Sequence, residues 1–525
     1  MIDLIKSKDF YLLFGLYLIA NILFLSNSNG LYWDDWTSYN QKIEIIKSLL
    51  SQIQHGLKGD FFIFLSQFGN HIYPFRIFVF FATFLMGIFT YFILSSIKEL
   101  NRQSVFFITL FFLLVPLNSA KISIAVVPFL FPILIFYCAF FLLTLYSKYP
   151  NILFRLLILT LFFTSFSTNS VLVFYFSIFL YLYYIEFHLD YTNLFNKGKY
   201  FIKRYWDFLV LPFIYFIYKS IYLKPYGNYE GYNAVSTGTL PKAIVIIFKN
   251  LDNSFVEVIT GSLYNLSFAW VYVAIALYFV IKKSPHLEEN DHKKLFLGIG
   301  LILFVLAIFP YAMVGKNAEF ESWNSRFQIL VPLGFSFIVY FGLLIVKKYA
   351  NLSQKLTIGI LWLLIFAFIG KNISDQYKQH IDWFYSVSIR ENIKENDIVK
   401  NHSTFIVNNN IKESLFYKRD MIYYELNGIA RSAFQDEKKL FIRYDHYHDN
   451  VTKFSKIKQQ KQYNFSQWEH EIPLLVTISY NYQYHANQKE FLQMIYFNLF
   501  DHQKFLRMAK NLTTITVNPL PSGDQ

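Results

Sequence analysis

A single cysteine, Cys138, occurs in the 525 residues, and it lies inside an apolar run. One cysteine cannot form an internal disulfide, so cysteine usage carries no reading of redox compartment. Charge is scarce too: Asp, Glu, Lys and Arg make up 16% of the chain, against about 25% in a soluble globular domain. There is no Walker A loop, no dinucleotide-binding glycine turn, no Cys/His metal spacing and no internal repeat. Each of those motifs builds a particular site, and without them no ATP, nucleotide-sugar or structural-zinc site is readable.

Apolar residues take the place of charge. They make up 54% of the chain, with 61 Phe and 40 Tyr, and the mean hydropathy is +0.32. A helix needs about 17–25 mostly apolar residues to cross a bilayer. Eleven runs approach that length: 10–26, 75–97, 105–117, 122–146, 152–166, 170–187, 206–223, 264–281, 295–313, 327–346 and 356–371. The first follows Lys6 and Lys8 and lacks a small-residue cleavage site, so it reads as a retained span rather than a removed signal peptide.

The formal net charge is +13. A basic balance can indicate nucleic acid, but here its distribution gives a simpler reading. With the N-terminus inside, the inner segments hold 17 Lys and Arg in 65 residues, and the outer segments hold 9 in 109. Basic residues favour the cytoplasmic side of a membrane protein. The sequence therefore predicts a multi-pass protein of the cytoplasmic membrane with its N-terminus in the cytoplasm. An odd span count then puts the C-terminus outside.

The predicted fold is an α-helical polytopic membrane protein of about eleven transmembrane helices over 1–371, with long outer loops at 27–73, 224–262 and 312–326. Ile43, Ile46, Leu50 and Ile53 recur at helical spacing in the first loop, and 243–259 looks similar. Such helices lie in the membrane interface or pack on the bundle. After Lys371 the composition turns polar. Strand-length runs at Thr404–Val407, Leu440–Arg443 and Leu474–Ser479 alternate with helical stretches at Met421–Phe434 and Glu490–Met508. Residues 372–525 thus read as a soluble extracytoplasmic α/β domain.

Candidate chemistry begins just outside the first span, at Trp33-Asp34-Asp35-Trp36. The tryptophans suit an interfacial aromatic belt. Either aspartate suits a helix N-cap or a general base, and as adjacent residues the two point to different sides. His71 and Arg76 flank the start of the second span. His71 is a candidate phosphate or sugar contact, and Arg76 suits snorkelling to the interface or substrate contact. Lys121 and Asn169 occupy tight outer turns. The stretch from Tyr311 carries Lys316, Glu319, Glu321, Trp323 and Arg326. An arginine fork there either binds phosphate oxygens or pairs with Glu319 or Glu321. Lys316, Arg326 and Lys121 are expected to converge on one face. His446 and His448 read as a solvated turn rather than a metal site.

An acidic pair after the first span, an interfacial helix behind it, about eleven spans, Ser325-Arg326-Phe327 entering a late span and an outer C-terminal domain together resemble the GT-C superfamily of polytopic glycosyltransferases. The likeness is greatest to the bacterial branch that modifies O-antigen or other surface polysaccharide, including serotype-converting glucosyltransferases. The resemblance implies a polyprenyl-phosphate sugar donor, a glycan acceptor and inversion at the anomeric carbon. It implies Asp34 or Asp35 as general base, and Lys121, Arg326, His71 and Lys316 about the donor phosphate. Trp33, Trp36, Arg76, Asn169, Tyr311, Glu319 and Glu321 are then candidates for substrate contact. Some members use a divalent cation; beyond the two aspartates this chain shows no ligand set. Membrane lipid is an implied partner and nucleic acid is not; nothing in the sequence sets an oligomeric state. A polysaccharide polymerase is the first alternative, disfavoured because its large outer loop would lie between late spans. A lipid-linked sugar flippase or transporter is the second, disfavoured by the few mid-span charges.

Overall fold

The computed structural model describes residues 7–39, 41–53, 56–68, 72–188, 193–231, 233, 239–266, 270–283, 287–435, 439–444, 472–484 and 486–520. His71, His446 and His448 lie outside the described residues.

Each apolar run is largely helical in its described part, but the runs are not equal. Among the described residues six helices are long and apolar enough to cross a membrane: Tyr73–Ser95, Ile124–Tyr146, Asn169–Phe187, Lys293–Met313, Val331–Tyr349 and Gln354–Glu395. The expected count of eleven is not met by this measure. Arg102–Leu114 and Ile152–Ser165 are shorter, and at 1.5 Å per residue they rise only about 20 Å. The first run breaks at Asn21 into Lys8–Ala20 and Ile22–Ser26. Leu194–Tyr222 is kinked at Tyr205, and Trp270–Lys283 has 14 residues.

Local sequence explains the helix ends. Pro74 occupies the first turn of Tyr73–Ser95, where its missing N–H costs nothing. Asn101 and Ser353 cap their helices by accepting from Ser104 N and Leu356 N. Along Tyr73–Ser95, Ile77, Phe81 and Leu85 form an exposed stripe at every fourth position. Such a stripe is costly in water and at home in hydrocarbon. Helices Lys293–Met313 and Val331–Tyr349 cross closely because Gly300 and Gly334 meet there. A Cβ on Gly334 would stand 2.4 Å from the Phe304 nitrogen, the small-residue contact common between membrane helices.

Gln354–Glu395 runs unbroken for 42 residues. The expected domain boundary at 371/372 therefore falls inside a helix. Polarity rises there with Lys371, Asp375, Gln376, Gln379, His380 and Asp382, which are buried polar residues. Beyond this helix lies a four-stranded sheet of β1 (Thr404–Asn409), β2 (Leu440–Arg443), β3 (Leu474–Tyr480) and β4 (Thr513–Pro519), in the order β2-β1-β3-β4. β1 runs parallel to β2 and β3, and β3 pairs antiparallel with β4. Helices Tyr423–Phe434, Gln488–Phe500 and His502–Lys510 complete this part. Phe384 on the long helix packs against Phe505 with ring centroids 5.1 Å apart, so the sheet region docks on the continuation of a membrane-type helix.

Candidate functional site

The motif at 33–36 forms a strained turn. Trp33 has φ of +48°, a left-handed conformation that costs a bulky residue about 1–2 kcal/mol. Mutual bonds hold it: the Asp35 N–H donates to the Tyr32 carbonyl at 3.0 Å, and the Tyr32 N–H donates to Asp35 Oδ2 at 3.0 Å. The turn sends the two acids to different environments.

Asp35 is fully buried. Its Oδ1 accepts from the Ser123 hydroxyl and from the Ala125 N–H at 3.1 Å. Burial lifts its carboxyl to about 6, opposed chiefly by the Arg76 charge. Oδ1 thus clamps the first loop to the start of Ile124–Tyr146, while Oδ2 holds the turn itself through Tyr32. Asp34 is only partly buried and accepts from the Tyr424 hydroxyl at 2.6 Å. Burial raises its pKa, and the Tyr424 bond and the Arg326 charge pull it down. Asp34 caps no helix with its side chain. A carboxylate with one phenolic donor, an arginine in range and access to a ligand has what a general base requires.

Around Asp34 runs an aromatic and cationic layer. The Trp33 ring stacks on Trp323 at 5.5 Å and tilts against Tyr417 at 5.8 Å. The Arg326 guanidinium lies 4.0 Å from the Trp323 centroid and 4.4 Å from that of Phe327, while its Nη1 donates to the Trp323 carbonyl at 2.7 Å. Arg419 lies over Trp33 at 5.9 Å and forks onto Glu425 at 2.6 and 2.8 Å. Trp33 Nε1 is buried with no hydrogen-bond partner among the described residues, so a donor N–H is left over at this point.

A second set of cations lies past Arg326. Tyr311 feels the Arg326 charge, and its hydroxyl donates to Ser170 Oγ at 3.1 Å. On the same turn, Asn169 Oδ1 accepts from Lys219 Nζ at 2.6 Å and the Ser167 carbonyl accepts from Lys58 Nζ at 2.8 Å. Lys58 is buried at 5% exposure. Burial, with the Lys219 charge beside it, lowers its pKa to about 7. Among the described residues neither lysine meets a carboxylate. A buried cation ordinarily has a counter-charge, so Lys58 favours an anion. Lys316 lies 5.3 Å from the Phe327 ring centroid.

Several expected roles change. Lys121 does not converge with Arg326, although their turns meet where the Ala120 N–H donates to Ser325 Oγ at 2.9 Å. Its ammonium turns inward to Asn21 Oδ1 at 2.8 Å and lines a small polar cavity with Ser119, Asp375, Gln376 and Gln379. Burial draws its pKa down to about 8. Arg76 does not snorkel: it is buried and donates to the Asn27 and Gly30 carbonyls at 3.3 and 2.8 Å. Trp36 is a core anchor rather than a belt residue, set 6.0 Å from Trp383, with its carbonyl accepting from Arg431 at 2.6 Å. Glu321 pairs with Lys371, and with Lys378 at 3.7 Å. Glu319 accepts from Ser322 and Asn324, each at 3.0 Å. Among the described residues no group of three His, Cys, Asp or Glu could hold a metal ion.

The sequence reading left out Lys58, Lys219, Tyr417, Arg419 and Tyr424. Lys58 had one signal, a lysine at the start of the largely apolar outer-loop stretch Leu57–Ser66. Tyr424 lies 390 positions from Asp34 and had none. No protein-family model matches the chain, and no curated protein matches it.

Proposed function

We propose that the chain transfers a sugar from a polyprenyl-phosphate donor to a surface polysaccharide such as O-antigen, on the outer face of the cytoplasmic membrane. The observation that carries this reading is Asp34: a partly buried carboxylate with a single phenolic donor, set beside Arg326 at the edge of a helical bundle of membrane character. Asp34 removes the proton of the acceptor hydroxyl. The resulting oxygen attacks the sugar C1 as the bond from C1 to the phosphate oxygen breaks, and the lipid phosphate leaves with the electron pair. Direct displacement inverts the anomeric centre.

Charge develops on the departing phosphate, and cations placed there in advance stabilise it. Arg326 is the first, and Lys58 and Lys219, which bond to the 167–169 turn next to Ser170, the partner of Tyr311, are the others. Trp33 Nε1 supplies a hydrogen bond for a sugar hydroxyl, and the Trp33–Trp323 stack supplies an apolar platform. Asp35 positions the loop and does not take the proton.

In this reading the Lys and Arg asymmetry puts the N-terminus in the cytoplasm. The shorter apolar helices also cross, completing eleven spans, and the sheet region lies outside. The test is transfer from a polyprenyl-phosphate sugar in proteoliposomes carrying the full chain. Asp34→Asn abolishes transfer while Asp34→Glu retains part of it; full activity in Asp34→Asn refutes the base.

A further inference from the structure

A cavity of about 320 Å³ lies in the half of the helical bundle away from Asp34. Its position follows from Tyr73–Ser95, whose Arg76 end holds the first loop while Thr90, Ile93 and Leu94 reach the cavity. That volume falls within the range of about 300–1,000 Å³ typical of ligand sites, and close-packed interiors leave few voids larger than one water.

The walls are carbon almost throughout, and Leu303 and Phe337 are typical. Among the hydroxyl-bearing lining residues, Thr90, Tyr181 and Tyr184 bond to Met86, Ser96 and Glu99. Ser177 Oγ and Tyr183 Oη both belong to lining residues, and both are buried with no hydrogen-bond partner among the described residues. Leu180 and Ile302 also line the space and are exposed at 38% and 47%. They sit on Asn169–Phe187 and Lys293–Met313, both candidate membrane spans. The cavity therefore opens sideways between two helices whose outer surfaces face hydrocarbon.

We infer that this cavity holds one acyl chain of an ester-linked phospholipid, entering between Leu180 and Ile302, with an ester carbonyl accepting from Tyr183. The lateral opening selects a molecule already dissolved in the bilayer. The carbon walls select its hydrocarbon part. An orphaned hydroxyl in a low-dielectric site requires an acceptor; an ester-linked chain carries one at its head, and a polyisoprenoid hydrocarbon carries none along its length. Exposed His188 stands at the end of the cavity beyond Tyr183 and Tyr184, at the level of a headgroup. The inference goes beyond the sugar-transfer reading and does not depend on it.

The test uses the full chain, purified and washed exhaustively in detergent, with bound lipid extracted and quantified by mass spectrometry. Wild type is expected to retain about one phospholipid per chain. Leu303→Trp, which fills the cavity, is expected to lose it, and Tyr183→Phe to retain it about tenfold less tightly, the equivalent of one hydrogen bond. A phospholipid with a photoactivatable diazirine in its acyl chain, reconstituted with wild type, should label the peptides carrying Leu180 and Ile302. Equal phospholipid retention in wild type and both variants overturns the inference. So does recovery of a polyprenyl lipid alone, or labelling confined to other helices. Should Leu303→Trp fail to fold, Tyr183→Phe and the photolabel decide.

Discussion

Trp33 and Trp323 stack with ring centroids 5.5 Å apart and 29° between their planes. Nearly three hundred positions separate them, yet this contact joins the first loop, which carries Asp34, to the late loop, which carries Arg326. Arg326 lies on the same Trp323 ring at 4.0 Å. The base and the phosphate cation of the proposed reaction thus share one aromatic spacer.

Replacing Trp323 by Ala removes that spacer and the cation–π contact, which is worth about 0.5–2 kcal/mol. Transfer kinetics should show a rise in donor KM of about tenfold, with the acceptor KM little changed. An unchanged donor KM would detach Arg326 from donor binding.

Asp35 and Asp34 should separate by pH. Burial holds Asp35 up to about 6, against about 3.9 in an unfolded chain. Between those values the folded state binds more protons, so this contribution to stability is complete below about pH 4 and is lost as pH rises through about 6. Melting temperature against pH should therefore lose a falling segment in Asp35→Asn. The variant also loses about 1–3 kcal/mol, because the Tyr32 N–H meets an amide instead of a carboxylate. A slope identical to wild type would contradict this.

Asp34 gives the opposite kind of pH signature. Its carboxyl is raised by burial and must be ionised to accept a proton. The acidic limb of kcat/KM should lie above the ordinary carboxylate range, with activity falling as pH drops through it. Removing the Tyr424 hydroxyl, which holds the ionised form, should move that limb further up in Tyr424→Phe. A limb that does not move would assign it to another group.

Lys58 combines a stability cost with a binding role. Its ammonium is depressed to about 7, so from there to about 10.4 the unfolded chain binds more protons and stability rises with pH. Lys58→Met should raise the melting temperature at neutral pH, since it removes a buried cation. The same change should raise donor KM about tenfold. Stabilisation without a donor effect would make Lys58 a structural residue only.

Gly428 allows helix Tyr423–Phe434 to approach the motif. A Cβ there would lie 2.7 Å from Trp36 Cβ and 2.9 Å from the Trp36 carbonyl oxygen. Gly428→Ala should cost about 1–3 kcal/mol in unfolding free energy, and should lower transfer by displacing Tyr424 from Asp34. Wild-type stability and activity would show that the contact yields easily.

Periodicity made most of the framework legible. Apolar runs located the helices and, at strand length, β1, β2 and β3. β4 escaped although 513–517 is a β-branched run with Ile515 and Val517 in alternation, because it is rich in Thr and lacks a continuous apolar run. The count of eleven spans rested on hydropathy, which cannot register the break at Asn21 or the kink at Tyr205. The expected boundary at 371/372 lies within the helix Gln354–Glu395, whose polar half buries Lys371 against Asp375 and Glu321; buried polarity reads as surface in a composition profile. Within the candidate site, residue type singled out the acids and Arg326 as candidates. Which acid is tied down, and where Lys121 points, depends on Ser123, Ala125 and Asn21, whose proximity no spacing announces.

The most direct test of the account compares Asp34→Asn with Asp35→Asn in proteoliposomes supplied with a polyprenyl-phosphate sugar and a glycan acceptor. Asp34→Asn should reduce turnover on the order of 10²–10⁴-fold, as for a lost general base, with its melting temperature preserved. Asp35→Asn should lower the melting temperature, and its folded fraction should still turn over. Full transfer by Asp34→Asn, or loss of transfer confined to Asp35→Asn at unchanged stability, would contradict the assignment of Asp34 as the base.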